Sequence, residues 1–338
     1  MSGVIKTEGL TKVYAGGVRA VDGIELSVEE GEVFGFLGPN GAGKTTTIRM
    51  LTTLTRPTAG RAEVVGCDVI RDSHKLRERI GYSAQEAGVD LNATGRQNLL
   101  LYGHYHHLGS RTVRRRIAEL LDLVDLTQEA DRLVSTYSGG MRKRLEIITA
   151  LIHRPRVLFL DEPTLGLDVQ MRVSIWNYIR ELNHGEGITV FLTTHYLEEA
   201  DKLCDRLAII DHGRIVAIGT PEELKDEIRG DVITLTMPFD NTGKQPGAIE
   251  RARGILSGQP FVRDIQSMDC GLNVYVDQGA VAVPHILRLL ESEGLVVETV
   301  TLSRPSLDDV FLKYTGHIIQ EEGAPDSPDE AGASWKGG

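Results

Sequence analysis

Apolar residues gather along this chain in short unbroken runs that stop at small or charged residues. Val33 to Leu37 is one such run, bounded by glycines. Val157 to Leu160 is a second and ends in Asp161-Glu162; Ile188 to Leu192 is a third and leads into Thr193-Thr194-His195. Continuous apolarity over so few positions predicts strands buried on both faces, as in a parallel sheet covered by helices. Between these runs the period changes. Val173, Trp176, Ile179 and Leu182 recur at helical spacing, as do Ile117, Leu120, Leu121 and Val124 in a helix-rich stretch from 86 to 137. Residues 4 to 28 read as antiparallel strands. Leu207 to Ile210 and Arg214 to Ile218 flank the turn signal Asp211-His212-Gly213, which predicts a hairpin. Pro221-Glu222-Glu223-Leu224 opens a short helix with acids in its first turn.

The pattern resets near residue 228. Val232 to Met237 and Leu272 to Val276 predict strands, Val283 to Glu293 an amphipathic helix stopped by Gly294, and Leu295 to Leu302 a further strand. Residues 240 to 248 are polar with Gly and Pro and predict a loop. Residues 320 to 338 carry Pro, Gly and Ser with five acids against one lysine, the composition of a disordered tail. The expected organisation is therefore a large α/β domain over 1–228, a small α+β domain over 229–317 and an acidic tail over 318–338.

The first apolar run feeds Gly38-Pro39-Asn40-Gly41-Ala42-Gly43-Lys44-Thr45, which has the form GxxxxGK[ST], and Thr46 to Leu54 is the predicted helix after it. Triphosphate charge needs many donors in a small volume. Glycines let backbone N–H groups converge without Cβ clashes, and a helix N-terminus adds positive potential. Lys44 is expected to reach the β- and γ-phosphates, and the Thr45 hydroxyl to ligate Mg²⁺. Strand ends in an open α/β sheet point at the ligand crevice. Asp161 therefore suits Mg²⁺, and Glu162 suits polarising an attacking water as general base. His195 arrives at a strand end on the same side, where a neutral imidazole can bond a γ-phosphate or hold the water.

Together with Ser138-Gly139-Gly140, these motifs make the chain resemble the nucleotide-binding subunit of an ABC transporter over roughly residues 4 to 225. The resemblance implies a P-loop NTPase fold, with a RecA-like parallel sheet core and antiparallel β and helical subdomains. It implies ATP and Mg²⁺ as cofactors, with nucleotide contacts from Tyr14 (stacking on adenine), Gly38, Pro39, Asn40, Gly41, Ala42, Gly43, Lys44, Thr45 and Thr46. Thr45, Gln85 and Asp161 are the implied metal residues. Glu162, His195, Gln85 and Lys44 are the implied catalytic ones, Gln85 also linking to the membrane partner. Asp168 matches the acid of the D-loop. The family's usual Leu-Ser-Gly-Gly-Gln stands here as Tyr137-Ser138-Gly139-Gly140-Met141, so Met141 lacks the glutamine's polar group. In the family Ser138, Gly139 and Gly140 would complete the site of an opposite subunit. One chain carries one copy of each motif, which implies a homodimer or a pair with a paralogue.

Arg304-Pro305-Ser306-Leu307-Asp308-Asp309-Val310-Phe311-Leu312 resembles a segment of ATPase subunits of the daunorubicin-resistance type. That implies an exporter of drugs, lipids or other hydrophobic or polymeric cargo. The C-terminal domain would support dimer or partner contact, or simply stability. The alternative is a soluble ATPase switch on ribosomes or DNA. Against it stand a single ATPase core, no long coiled-coil insertion and an acidic balance of −11, where nucleic acid calls for a basic face. With 338 residues and 41% hydrophobic content the chain can build a large core. No signal peptide and no uninterrupted apolar stretch of about 18 residues is seen. The expected pore is thus a separate multi-spanning permease, with this chain at the cytoplasmic face of the membrane. Cys67, Cys204 and Cys270 lie far apart and read as reduced thiols. Arg111, Arg114, Arg115 and Arg116 read as a solvated helix face. His104, His106 and His107 read as neighbours on a helix without metal-ligand pattern.

Overall fold

The computed structural model describes residues 3–85, 88–228, 230–237, 246–268 and 270–317. The chain opens with β1 (Ile5–Val13), β2 (Arg19–Val28), β3 (Val33–Leu37) and helix α1 (Lys44–Leu51). β4 (Ala59–Val64), β5 (Cys67–Asp68), α2 (Ser73–Arg77) and β6 (Ile80–Ser83) lead to the helices α3 (Gly95–Tyr105), α4 (Ser110–Leu123) and α5 (Gly139–Thr149). Then come β7 (Val157–Asp161), α6 (Val169–Glu186), β8 (Thr189–Thr194), α7 (Leu197–Leu203), β9 (Arg206–Asp211), β10 (Arg214–Gly219) and α8 (Pro221–Asp226). The remainder is β11 (Asp231–Thr236), α9 (Pro246–Leu256), β12 (Val262–Met268), β13 (Gly271–Val276), α10 (Gly279–Ser292), β14 (Thr299–Ser303) and α11 (Leu307–Thr315).

The central sheet has six strands in the order β10-β9-β3-β8-β7-β6. All its pairings are parallel except the β9–β10 hairpin. Every residue of β3, β7 and β8 is buried, because both faces are covered. Alternation sorts the side chains. Leu158, Leu160, Val190 and Leu192 face the helices, where Leu145, Ile175, Ile179, Leu99 and Ile117 meet them. Val157, Phe159, Phe34, Phe36 and Phe191 face α1 and the antiparallel sheet β2-β1-β4-β5, against Ile48, Ile5, Leu10 and Ile24.

A third sheet, antiparallel in the order β12-β13-β11-β14, packs Ile233, Leu235, Val274 and Val276 beneath α9 and α10. Its opposite face carries Val232 and Tyr275, which join Leu307, Val310 and Phe311 of α11 on Leu207, Ile209 and Leu224 of the larger part. Fully burying one such side chain stabilises by about 1.5–3 kcal/mol, so α11 secures this junction by several of those increments. α11 starts on a reciprocal cap: Ser306 accepts from the Asp309 amide while the Asp309 carboxylate accepts from the Ser306 amide.

Several expectations need adjustment. The helix after the glycine-rich loop covers Lys44–Leu51, not Thr46 to Leu54; Thr53, at φ 68, breaks it. The helix expected from Val283 runs over Gly279–Ser292 with Pro284 inside it. The strand expected over Leu295 to Leu302 is confined to Thr299–Ser303. The expected 240–248 loop gives way at Pro246, which opens α9 because a proline suits the first helical position. The rest of that loop and the acidic tail lie outside the described residues. Val173 is 42% exposed while Trp176, Ile179 and Leu182 are buried. Arg116 is not on a solvated face: it is 4% exposed. It bonds both Glu186 carboxylate oxygens at 2.8 Å, tying α4 to the end of α6. His106 and His107 lie beyond the last residue of α3, and His107 is left-handed at φ 56.

Candidate active site

The loop from Gly38 to Thr45 leaves β3 and enters α1 with its conformation dictated by glycine. A Cβ on Gly38 would stand 2.3 Å from the Ile210 carbonyl oxygen, and one on Gly43 would stand 2.4 Å from that of Ala20. Gly41 and Gly43 also hold φ of 81 and 107, a region that side chains disfavour. Lys44 is 4% exposed. Its Nζ donates to the carbonyl oxygens of Gly38 at 2.7 Å and Pro39 at 3.1 Å, and lies 3.2 Å from Glu162 Oε1. Around it a pocket of about 170 Å³ is lined by Pro39, Asn40, Gly41, Thr45, Thr46, Gln85 and Glu162 among others.

The register of the parallel sheet brings the acids here. Asp161 pairs with Thr193 across β7 and β8. The Thr193 hydroxyl donates to Asp161 Oδ1 at 2.6 Å, and the Thr45 hydroxyl donates to the same oxygen at 3.2 Å. Burial lifts the Asp161 carboxyl above its ordinary value, opposed by these two hydroxyls. The next residue, Glu162, sits at φ 48, a left-handed value that costs a non-glycine residue on the order of 1–3 kcal/mol. Its amide donates to the Thr193 hydroxyl at 3.0 Å. Burial pushes the Glu162 carboxyl up, but His195 and Lys44 together outweigh that and hold it below the usual range.

His195 Nδ1 stands 3.4 Å from the same Glu162 Oε1, without hydrogen-bond alignment. Both ring nitrogens are buried and make no hydrogen bond among the described residues. An orphaned imidazole beside an ionised carboxylate and a buried ammonium fits an external phosphate or water. Thr45 and Asp161 offer adjacent oxygen donors, which fits a hard cation such as Mg²⁺. Behind them Glu199, fully buried, accepts from Thr164 and Trp176 at 2.9 Å each and fixes the segment after Glu162.

The other expected residues lie elsewhere. Tyr14 is 41% exposed, with Lys12 Nζ 5.2 Å from its ring centroid, and does not line the pocket. Ser138 caps α5, its hydroxyl accepting from the Met141 amide at 3.3 Å; Ser138 and Gly139 are exposed and also do not line the pocket. Asp168 is exposed at the start of α6 and accepts from the Met171 amide at 2.9 Å. Thr193, Thr164 and Glu199 were not singled out in the sequence. Thr193 adjoins His195 at a strand end, a signal that was present.

Residues 21–165 match the family model described as ABC transporter, and residues 219–315 match the one for the C-terminal domain of DrrA1-3-like ATP-binding proteins. The chain is 45% identical to the daunorubicin resistance ATP-binding protein DrrA2 of Streptomyces coeruleorubidus, over 96% of this chain and 98% of that one. It is 40% identical to the Nod factor export ATP-binding protein I of Ralstonia nicotianae, over 94% and 95%. Among solved structures, cbiO1 from Clostridium perfringens, part of an ABC transporter complex, aligns with a TM-score of 0.63 at 29% identity, covering 68% of this chain and 94% of that one. A dimeric bacterial ABC transporter cassette aligns with a TM-score of 0.59 at 26% identity, covering 64% and 98%. The chain belongs to the ATP-binding, ATP-hydrolysing subunits of ABC transporters, in the group of the daunorubicin resistance ATP-binding proteins.

Proposed function

We propose that this chain hydrolyses ATP at the cytoplasmic face of a membrane to drive export of drug-like, lipid-like or polymeric cargo through a separate multi-spanning subunit. The convergence of Lys44 and His195 on one oxygen of Glu162 carries the reading. The entering γ-phosphate draws Lys44 away from Glu162, and the carboxylate, kept ionised by its surroundings, is released to polarise the attacking water. His195 turns its unpaired nitrogens to that phosphate, and Gln85 borders the same pocket. Thr45 and Asp161 would hold Mg²⁺, which supplies charge neutralisation to the phosphates when bound. Tyr14, outside that pocket, stacks on the adenine.

Ser138, Gly139 and Gly140 act on a second copy's nucleotide, or a paralogue's, with Asp168 at the same seam. Ser138, Gly139 and Asp168 are exposed away from this chain's own pocket, which supports that arrangement. We take residues 1–228 as the ATPase unit and 229–317 as an accessory unit for dimer or partner contact. The printed functions of the relatives, daunorubicin resistance and Nod factor export, support an exporter. No helix among the described residues is long and apolar enough to cross a membrane, which agrees with a pore on another polypeptide. The test is purification of the tagged chain from detergent-solubilised membranes of its own cell. A stoichiometric multi-spanning protein is the expected companion; ribosomal or DNA-bound proteins, with none of the chain at the membrane, would overturn the proposal.

A further inference from the structure

The turn between β9 and β10 meets the end of the C-terminal helix at a cluster that the ATP site does not use. His212 and Gly213, at φ 45 and 80, form a two-residue turn with both centres left-handed. The turn braces the phosphate loop: the Gly213 amide donates to the Ala42 carbonyl at 3.0 Å, and its carbonyl accepts from the Asp22 amide at 2.8 Å. His317 follows the left-handed cap Gly316 and folds back, its ring stacked on Phe311 at 5.6 Å between centroids. One donor atom from each of Asp211, His212 and His317 lies within 4.8 Å of the others. His212 Nε2 is 3.8 Å from Asp211 Oδ2, and His317 Nε2 is 3.9 Å from Asp211 Oδ1.

We propose that Asp211, His212 and His317 bind a divalent transition-metal ion of the Zn²⁺ class. Two imidazole nitrogens and one carboxylate oxygen are the donor set such ions prefer, whereas Mg²⁺ takes oxygen. Bonds near 2.0 Å give a tetrahedron with edges of about 3.3 Å. The exposed His212 ring closes the remaining gap by rotation, and water fills the fourth position. His317 Nδ1 lies 3.0 Å from the Thr315 hydroxyl, so that partner orients the ring and leaves Nε2 to the metal. The ion clamps the end of α11 to the turn under Ala42, linking the C-terminal segment to the phosphate loop.

The test is titration of the untagged, chelator-treated full-length chain with Co²⁺ and then Zn²⁺, without nucleotide. One equivalent of Co²⁺ should bind with visible absorption bands, and Zn²⁺ should displace it. His317→Ala and His212→Asn should each lose the bands, asparagine being chosen because it tolerates the left-handed turn. Unchanged melting temperatures without metal show that both variants are folded. Thr315→Val should weaken binding by about 10- to 100-fold, and His74→Ala and Cys270→Ser should bind as before. Equal binding in His317→Ala and His212→Asn, or no saturable binding by the parent chain, would overturn the site.

Discussion

The hydroxyl of Thr193 donates to Asp161 Oδ1 across 2.6 Å, strand end to strand end. The same hydroxyl accepts from the Glu162 amide, so one side chain sets both acids. Thr193→Val keeps the shape and removes both bonds. Thr45 still donates to Asp161 and the Thr193 carbonyl still accepts from the Glu162 amide, so each lost bond costs about 0.5–1.5 kcal/mol. We expect a lower melting temperature and a higher Mg²⁺ requirement for ATP hydrolysis, both restored by Thr193→Ser. A valine variant with the parent's Mg²⁺ dependence would show the tether to be dispensable.

Glu162→Gln keeps the volume and removes the proposed base. Turnover should fall by about 10²- to 10⁴-fold, the usual share of general-base catalysis, while ATP still binds. Dimers should accumulate when ATP is added, seen as an earlier elution on size exclusion. Parent-level hydrolysis would take Glu162 out of that role.

His153 lies stacked on His106 at 3.7 Å between centroids, with its Nε2 2.9 Å from the Ile80 carbonyl oxygen. Burial, aided by His106, pulls the His153 pKa from 6.5 to about 4. The unfolded chain therefore binds this proton first. Stability from the neutral ring is complete above pH 6.5 and drains away as pH falls towards about 4, on the order of 3 kcal/mol in all. Melting temperature between pH 7.5 and 5 should drop less steeply in His153→Gln. Parallel curves would mean that other groups govern the acid limb.

Met141 occupies the last position of the signature segment, and its side chain packs against the helical core. Its amide, not its side chain, bonds Ser138. Met141→Gln keeps that bond and adds a polar group, so ATPase activity should be retained or raised. A collapse in activity with normal folding would show that the thioether's packing positions Ser138.

The strands that carry the candidate site could be read because both of their faces are buried, which writes their apolarity without interruption. Their last residues then had to face the crevice, and so Lys44, Asp161, Glu162 and His195 emerged together. What escaped depends on partners far along the chain. Arg116 looks like part of a basic run until Glu186 is brought beside it by folding. β12 is an edge strand with Ile265 its one buried residue, which leaves little period to detect. The histidines at 212 and 317 meet only because α11 crosses back over the β9–β10 turn.

That crossing bears on the gene. A stop codon after Ile228 would spare every residue of the candidate site named above, yet Leu207, Ile209 and Leu224 would lose Leu307, Val310 and Phe311, which now cover them. The cell would meet the product as a sticky fragment for its proteases. Frameshifts that fall after the codon for Ile228 and before those of α11 should therefore behave as null alleles, though they leave the candidate-site codons intact.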